Sequence, residues 1–285
     1  MTPPPRVPSL PERLVDGPAV IVGPGRVGLS LAAAMARASG QPPLLLARSA
    51  SAARPGLAAA GTTGPIRDLG RWKPRAGPGL LILAVPDDAL ETAVRRLAKR
   101  CAHAGASGWI ALHTSGFRSS GVFAPLRELG WPAGSWHPLQ TFPEPGATLF
   151  AGIVVVQEGD PPALEAGARL ARGLGAHPAA LPAELKPLYH CLATIAATHA
   201  AVLLNFCRTA LAAFPPETRA LVWPGLQRLA GAAIQNLGGV GAAPAFTGPA
   251  VRGDFQTVRG HLQVLQEQFP DWAGIYRRLN ESLNK

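Results

Sequence analysis

Residues 185–199 read LKPLYHCLATIAATH. Lys186, His190, Thr194 and Thr198 recur at every fourth position, so on an α-helix they share one face. Lysine is scarce in this chain: only Lys73, Lys99, Lys186 and Lys285 occur. A lysine partly desolvated one turn before a histidine has a lowered pKa and can donate a proton. Reduction of a carbonyl or an imine needs such a donor, because hydride arrives from a cofactor and the developing anion must be protonated. Lys186 and His190 are the pair to supply and relay that proton. The same spacing also suits a solvated stripe on an otherwise buried helix, with Leu188, Leu192 and Ile195 as the buried face.

A second group of residues points to the cofactor. VIVGPGRVGLSL places Gly23, Gly25 and Gly28 in a G-x-G-x-x-G pattern after an apolar strand and before a helix. The first glycine permits a tight turn, the second lets backbone approach a pyrophosphate, and the third lets the helix sit close to the sheet. Pro24, Arg26 and Val27 complete this candidate cofactor loop. A following strand, LLLARS, ends on Arg48 and Ser49 where an NAD site would carry an acidic residue. A guanidinium there pairs with a 2′-phosphate and favours NADP(H), although Arg48 also reads as an ordinary surface arginine.

Other candidates lie where strands end. Val85-Pro86 follows LLILA and reads as a wall of the cofactor cleft. His113, Thr114, Ser115 and Gly116 end another strand, and their hydroxyls and N–H groups suit a substrate carboxylate or carbonyl, or else an N-cap. His137 in SWHPLQTF reaches the same rim, or is a loop histidine held by backbone. In FTGPAVRGDFQTVRGHL, Arg252 suits a carboxylate clamp or a structural ion pair, and Asp254 an N-cap.

The elements that must position these residues follow from hydrophobic pattern. Apolar strands at PAVIVG, PLLLAR, GLLILAV and GWIALH alternate with helices at about 87–100 and 119–129. Short strands near 132–136, 152–156 and 176–181 and a helix near 161–173 follow. This is an α/β pattern of Rossmann type: a doubly wound, mostly parallel sheet covered on both faces. After Pro182 strand signals stop, and helices are expected at 183–213, 216–237 and 254–282. The expected organisation is a flexible tail over 1–15, a dinucleotide-binding domain over 16–181 and an all-α domain over 182–285.

Composition bounds the rest. The 285 residues carry a formal charge of +10 from dispersed arginines, without a basic run or aromatic platform for nucleic acid. That field favours a small anionic substrate. Cys101, Cys191 and Cys207 show no metal-ligand spacing. MTPPPRVPSLPERL lacks the apolar core of a signal peptide, and Thr194, Thr198, His199, Asn205 and Arg208 interrupt the longest apolar region. A cytoplasmic location is the expectation, with neither membrane nor metal.

GPGRVG, LAVPDDAL, HTSG, SWHPLQTF, KPLYH and FTGPAVRGDFQTVRGHL together resemble one bacterial Rossmann-like family. Its C-terminal half is a domain of unknown function (DUF2520). The resemblance runs from about Pro18 to Leu279. It implies distant kinship with β-hydroxyacid dehydrogenases, ketopantoate reductases and pyrroline-5-carboxylate reductases, in which a nicotinamide domain precedes a helical domain that often dimerises. It further implies that Lys186 matches a catalytic lysine, that His190 replaces an amide side chain, and that Thr114, Ser115 and Gly116 match a carboxylate-binding loop. Thr198 stands where the family usually shows Asn, and a hydroxyl lacks the paired donor and acceptor of an amide. The implied activity is reduction of a small 2-oxoacid such as ketopantoate. A cyclic-imine reductase and a non-catalytic NADP(H)-binding sensor are the alternatives.

Overall fold

The structure, a computed structural model, describes residues 14–62, 64–239 and 246–283. The tail expected over 1–15 falls largely outside them. The chain divides into two compact units, Met1–His199 and Ala200–Lys285. The division lies beyond the change of composition at Pro182, because the helix that begins at Lys186 belongs with the sheet.

In chain order the first unit contains β1 (Ala19–Val22), α1 (Arg26–Ser39), β2 (Leu44–Ala47), α2 (Ala50–Ala59), β3 (Ile66–Asp68), β4 (Gly79–Leu83) and α3 (Asp87–His103). Then come β5 (Trp109–His113), α4 (Ala124–Arg127), β6 (Ala133–Pro138), β7 (Val154–Gly159), α5 (Pro161–Gly173), β8 (His177–Ala180) and α6 (Lys186–Thr194). A π-helical turn, Ile195–His199, closes the unit.

The eight strands form one sheet in the order β3-β2-β1-β4-β5-β6-β7-β8. Every pairing is parallel except β6 with β7. Strand β4 lies between β1 and β5 and is buried throughout, as its uninterrupted GLLIL run requires of a strand covered on both faces. Pleating divides the core. Ile21, Ile82 and Leu112 pack with Leu29, Leu31, Met35 and Leu170 on one face. Val20, Val22, Leu81 and Leu83 pack with Leu90, Val94 and Leu97 on the other. The parallel strands β1, β4, β5 and β6 therefore all deliver their carboxyl ends to one edge. Strand order reverses beside β1, which is where open α/β sheets form a ligand crevice.

The second unit is helical: α7 (Ala200–Ala210), α8 (Pro216–Gln235), α9 (Phe255–Gln268) and α10 (Pro270–Ser282). Phe206 of α7 stacks on Trp272 of α10 at 4.1 Å between ring centroids. Asp254 caps α9, its carboxylate accepting from the Thr257 N–H and hydroxyl.

Three expected helices differ. The helix expected over 119–129 is a 3₁₀ turn, Ser120–Phe123, followed by the single turn of α4. Ser, Gly, Val and Phe are weak helix formers, which favours the short turn. The helix expected over 183–213 is interrupted by the π turn. The helix expected over 254–282 breaks at Phe269, with φ −146° and ψ 64°, because a residue before proline is pushed out of the helical region.

Candidate active site

The first part of the site is the turn after β1. Gly23 has φ +100°, and a Cβ there would lie 2.4 Å from the Ala84 carbonyl oxygen. A Cβ on Gly28 would lie 2.0 Å from the Gly23 carbonyl oxygen. Both glycines are thus required by the chain's own packing. Gly25 is different. Its φ is −83°, which any residue adopts, and nothing lies within 4 Å of a Cβ built there. Neither strain nor packing explains a glycine at that position. Glycine is a favoured N-cap, and the open side leaves room for close approach of an external group.

Gly25 is the N-cap of α1, with no side-chain cap and no acidic residue in the first turn. The N–H groups of Arg26, Val27 and Gly28 therefore stand at a helix start suited to an anion. Val85 approaches Gly23, its Cγ1 lying 2.9 Å from the Gly23 Cβ position, and Pro86 leads into α3. At the end of β2, Arg48 is exposed. The Ser49 hydroxyl caps α2 by accepting from the Ala52 N–H. The Asp68 carboxylate, on β3, accepts from the Ala50 N–H at 2.7 Å.

The second part lies at the ends of β5 and β6. Lys186 is 1% exposed. Its Nζ donates to the Ser115 carbonyl at 3.1 Å and to the Ser135 hydroxyl at 2.9 Å. No carboxylate pairs with it among the described residues. Burial lowers its pKa to about 8, against the partly offsetting charges of Glu158 and Asp87.

Tyr189 and His190 follow on the same helical face, three and four residues on from Lys186. The Tyr189 hydroxyl is 2.7 Å from His137 Nδ1. Burial raises the phenol to about 12. Burial, then the neighbouring His190 and Lys186, lowers His137 to about 4. The His137 and His190 rings meet edge to face, with centroids 5.7 Å apart. Both press on Gly116, whose Cβ would lie 2.4 Å from His190 Nδ1 and 2.9 Å from His137 Nε2.

The sequence-predicted residues therefore separate. Lys186, His190, His137, Ser115 and Gly116 are brought together. His113 is fully buried and is not placed to touch a substrate. Its Nδ1 accepts from the Ser115 N–H, and its Nε2 donates to the Ser119 carbonyl. Burial lowers its pKa to about 3, so the ring is neutral. Ser115 is also committed: its hydroxyl accepts from the Phe117 and Arg118 N–H groups. Both residues shape the loop, and Thr114 is its partly exposed member. Thr198 is exposed on the π turn, and Arg252 is exposed in the second unit.

The buried face expected for this helix is inverted. Leu188, Leu192 and Ile195 are 58%, 55% and 50% exposed, and Lys186 is buried instead. The polar face turns inward because Ser115, Ser135 and His137 offer it hydrogen-bond partners. The run Ala183–Ala213 is long and apolar enough, at mean hydropathy 1.4, to cross a membrane by length and composition alone. The buried bonds of Lys186 instead dock its head on the sheet.

Sequence reasoning missed Ser135, Tyr189 and Glu158. Ser135 is two residues before His137, so strand alternation alone puts both on one face. Tyr189 sits three residues after Lys186, on the face already singled out. Glu158 accepts from the Ser120 N–H and hydroxyl and holds the turn behind His113. Only tertiary pairing of β6 with β7 reveals that contact.

Residues 2–138 match the Rossmann-like domain model, and residues 153–283 match the domain of unknown function DUF2520. The chain joins a Rossmann-like domain to a DUF2520 domain. No curated protein matches this DUF2520 chain. A candidate NADP oxidoreductase from Bacteroides fragilis has a similar crystal structure. It is 21% identical, with TM-score 0.75, over 95% of this chain and 98% of its own. A protein from Thermotoga maritima is 23% identical, with TM-score 0.60, over 94% and 100%. Pyrroline carboxylate reductase from Plasmodium falciparum, solved with NADP bound, is 10% identical, with TM-score 0.58, over 94% and 98%. At these identities the likeness is one of fold, and it spans both domains of the DUF2520 chain.

Proposed function

We propose that this DUF2520 protein is an NADPH-dependent oxidoreductase that reduces a small 2-oxoacid, in the manner of a ketopantoate reductase. One observation carries the reading. A buried lysine without a paired carboxylate among the described residues, poised near neutrality, stands at the same sheet edge as an open glycine turn suited to a pyrophosphate. Gly23, Gly25 and Gly28 with the N–H groups opening α1 would hold the pyrophosphate, and Arg48 and Ser49 the 2′-phosphate. A nicotinamide cofactor held there would supply hydride to the substrate carbon. Lys186 holds the proton needed at the developing alkoxide, and Ser115 and Ser135 orient its Nζ. His190 stands beside it as a second donor. The loop Thr114–Gly116 faces the substrate through Thr114. Thr198 borders the substrate in this reading.

A homodimer through the helical domain belongs to the same reading. Leu221, Leu229 and Ile234 of α8 are each more than 60% exposed in the single chain and suit a second copy. Light scattering would show twice the chain mass.

The test is NADPH oxidation across ketopantoate, other 2-oxoacids and pyrroline-5-carboxylate. Turnover is expected with an oxoacid. Turnover with the cyclic imine alone would replace the carbonyl assignment with imine reduction. Tight NADPH binding with no turnover on either class would make the protein a cofactor-binding sensor.

A further inference from the structure

Glu158 is a buried carboxylate that forms no ion pair among the described residues. One oxygen accepts from the Ser120 N–H at 2.8 Å and the other from the Ser120 hydroxyl at 2.6 Å. Arg127 donates to that same hydroxyl oxygen at 2.8 Å and forms its own ion pair with Asp160. A carboxyl group that accepts at both oxygens, beside a hydroxyl polarised by a guanidinium, has the bonding of the ionised form. Keeping that charge out of water is costly, and two bonds to one serine offset only part of the cost.

The sheet register places the charge. Glu158 on β7 stands directly opposite Ser135 on β6. Opposed residues of an antiparallel pair put their side chains on one face, with Cβ atoms about 5 Å apart. The Ser135 hydroxyl is the oxygen that accepts from Lys186 Nζ at 2.9 Å. A second path runs through the loop after β5. Glu158 holds Ser120, and the adjoining Ser119 carbonyl is bonded to His113. His113 in turn accepts from the Ser115 N–H, and the Ser115 carbonyl accepts from Lys186. A buried anion and a buried cation are thus linked twice without forming an ion pair.

We propose that Glu158 is a positioning residue for the proton donor: its negative charge, fixed across the strand pair from Ser135, keeps Lys186 protonated, and its bonds to Ser120 hold the loop that presents the Ser115 carbonyl. The proposal rests on the oxidoreductase reading only for the use made of that proton. Burial alone can take a lysine down to about 5–6, where it would enter the reaction without a proton to give. Burial is the largest influence on Lys186, and the charges of Glu158 and then Asp87, at the start of α3, act against it. The other groups around the lysine do not supply a negative charge. His113 on β5 and His137 on β6 are lowered, chiefly by burial, to about 3 and about 4, and are neutral at pH 7. Tyr189 is raised by burial to about 12 and keeps its proton. His190 lies one turn along the same helix, and Arg127 stands beyond Ser120 with its charge met by Asp160.

The experiment is ¹³C NMR of protein labelled at the lysine Cε, followed against pH without cofactor or substrate. Only Lys73, Lys99, Lys186 and Lys285 contribute signals, and Lys186→Met identifies the one that matters. Glu158→Gln keeps the length of the side chain and an acceptor for the Ser120 N–H, and removes the charge. Its Lys186 midpoint should lie about one pH unit or more below that of wild type, and the falling limb of the pH–rate profile should move with it. Glu158→Asp keeps the charge and shortens the reach to Ser120. Its Lys186 midpoint should stay within about half a pH unit of wild type, even where the melting temperature falls. A glutamine midpoint equal to or above that of wild type overturns the proposal. So does a drop of a full pH unit in the aspartate variant, which would make the tie to Ser120 responsible rather than the charge. Wild type that shows the expected midpoints but no NADPH turnover would count against the oxidoreductase reading alone.

Discussion

Gly25 and Gly116 are two glycines that the backbone does not demand, and the space beside them differs completely. Beside Gly25 there is nothing within 4 Å. Beside Gly116 two histidine side chains fill the space. The first region leaves room for an external group. The second is already assembled from the chain's own groups, and its lysine is buried at a cost. On the proposed function, one half of the site is a receptor and the other a preorganised donor. Substitutions in the two halves should fail in different ways.

The largest expected effect is at the donor. Lys186→Met should lower kcat by about 100- to 10,000-fold, the range of a lost general acid. Stability at pH 7 should stay within about 2 kcal/mol of wild type or rise, because a buried ammonium is removed while two oxygens lose a donor. The pH dependence has a definite sign. Lys186 titrates near 8 in the folded protein and at about 10.5 unfolded. The reduction rate should therefore fall as pH rises through about 8. The unfolded state binds more protons between about 8 and 10.5, so wild-type stability should rise across that window. The methionine variant should show neither change. Denaturant midpoints and rate profiles on both proteins read this directly, and matching profiles would remove Lys186 from the donor role.

At the receptor, neighbouring glycines should separate. Gly25→Ala should leave the melting temperature nearly unchanged and weaken NADPH at least tenfold, since the new methyl enters space reserved for the pyrophosphate. Gly28→Ala places a methyl 2.0 Å from a backbone oxygen and should cost about 2 kcal/mol or more in stability before cofactor is considered. Equal loss of stability in both variants would mean that Gly25 is structural after all.

This contrast also marks what the sequence reveals. Gly23, Gly25 and Gly28 are legible because a local backbone requirement is written in consecutive residues. The central strands are legible because GLLIL and WIALH are continuous apolar runs. The short polar strand IRD and the helix ASAARPGLAA, with Pro55 inside it, carry little local signal. Lys186 and His190 are legible as a helical stripe, but the direction that stripe faces is not. Helical spacing marks two faces without saying which is buried. Here hydrogen-bond partners in the loop after β5 and on β6 decide it, against the apolar residues. His113 shows the opposite limit. Its type and place at a strand end suggest substrate contact, and two backbone groups claim its ring.

The smallest expected effect concerns the choice of cofactor. Arg48 is exposed at the end of β2, where the second phosphate of NADPH would lie. A guanidinium in water is screened, so its contribution is modest. The Asp68 carboxylate stands on the adjacent strand and already accepts from Ala50 N–H. Its negative charge opposes a phosphate nearby, and Arg71 lies 3.7 Å from it to offset that charge. A preference for NADPH would therefore reflect two arginines against one carboxylate rather than a single contact. Arg48→Ala should weaken NADPH about tenfold, equivalent to ~1.4 kcal/mol, and leave NADH unchanged. Asp68→Asn should move NADPH affinity the other way by a smaller factor. Fluorescence titration of both cofactors with both variants measures this. If Arg48→Ala weakens the two cofactors equally, the arginine acts on the pyrophosphate field in general and the 2′-phosphate is recognised elsewhere.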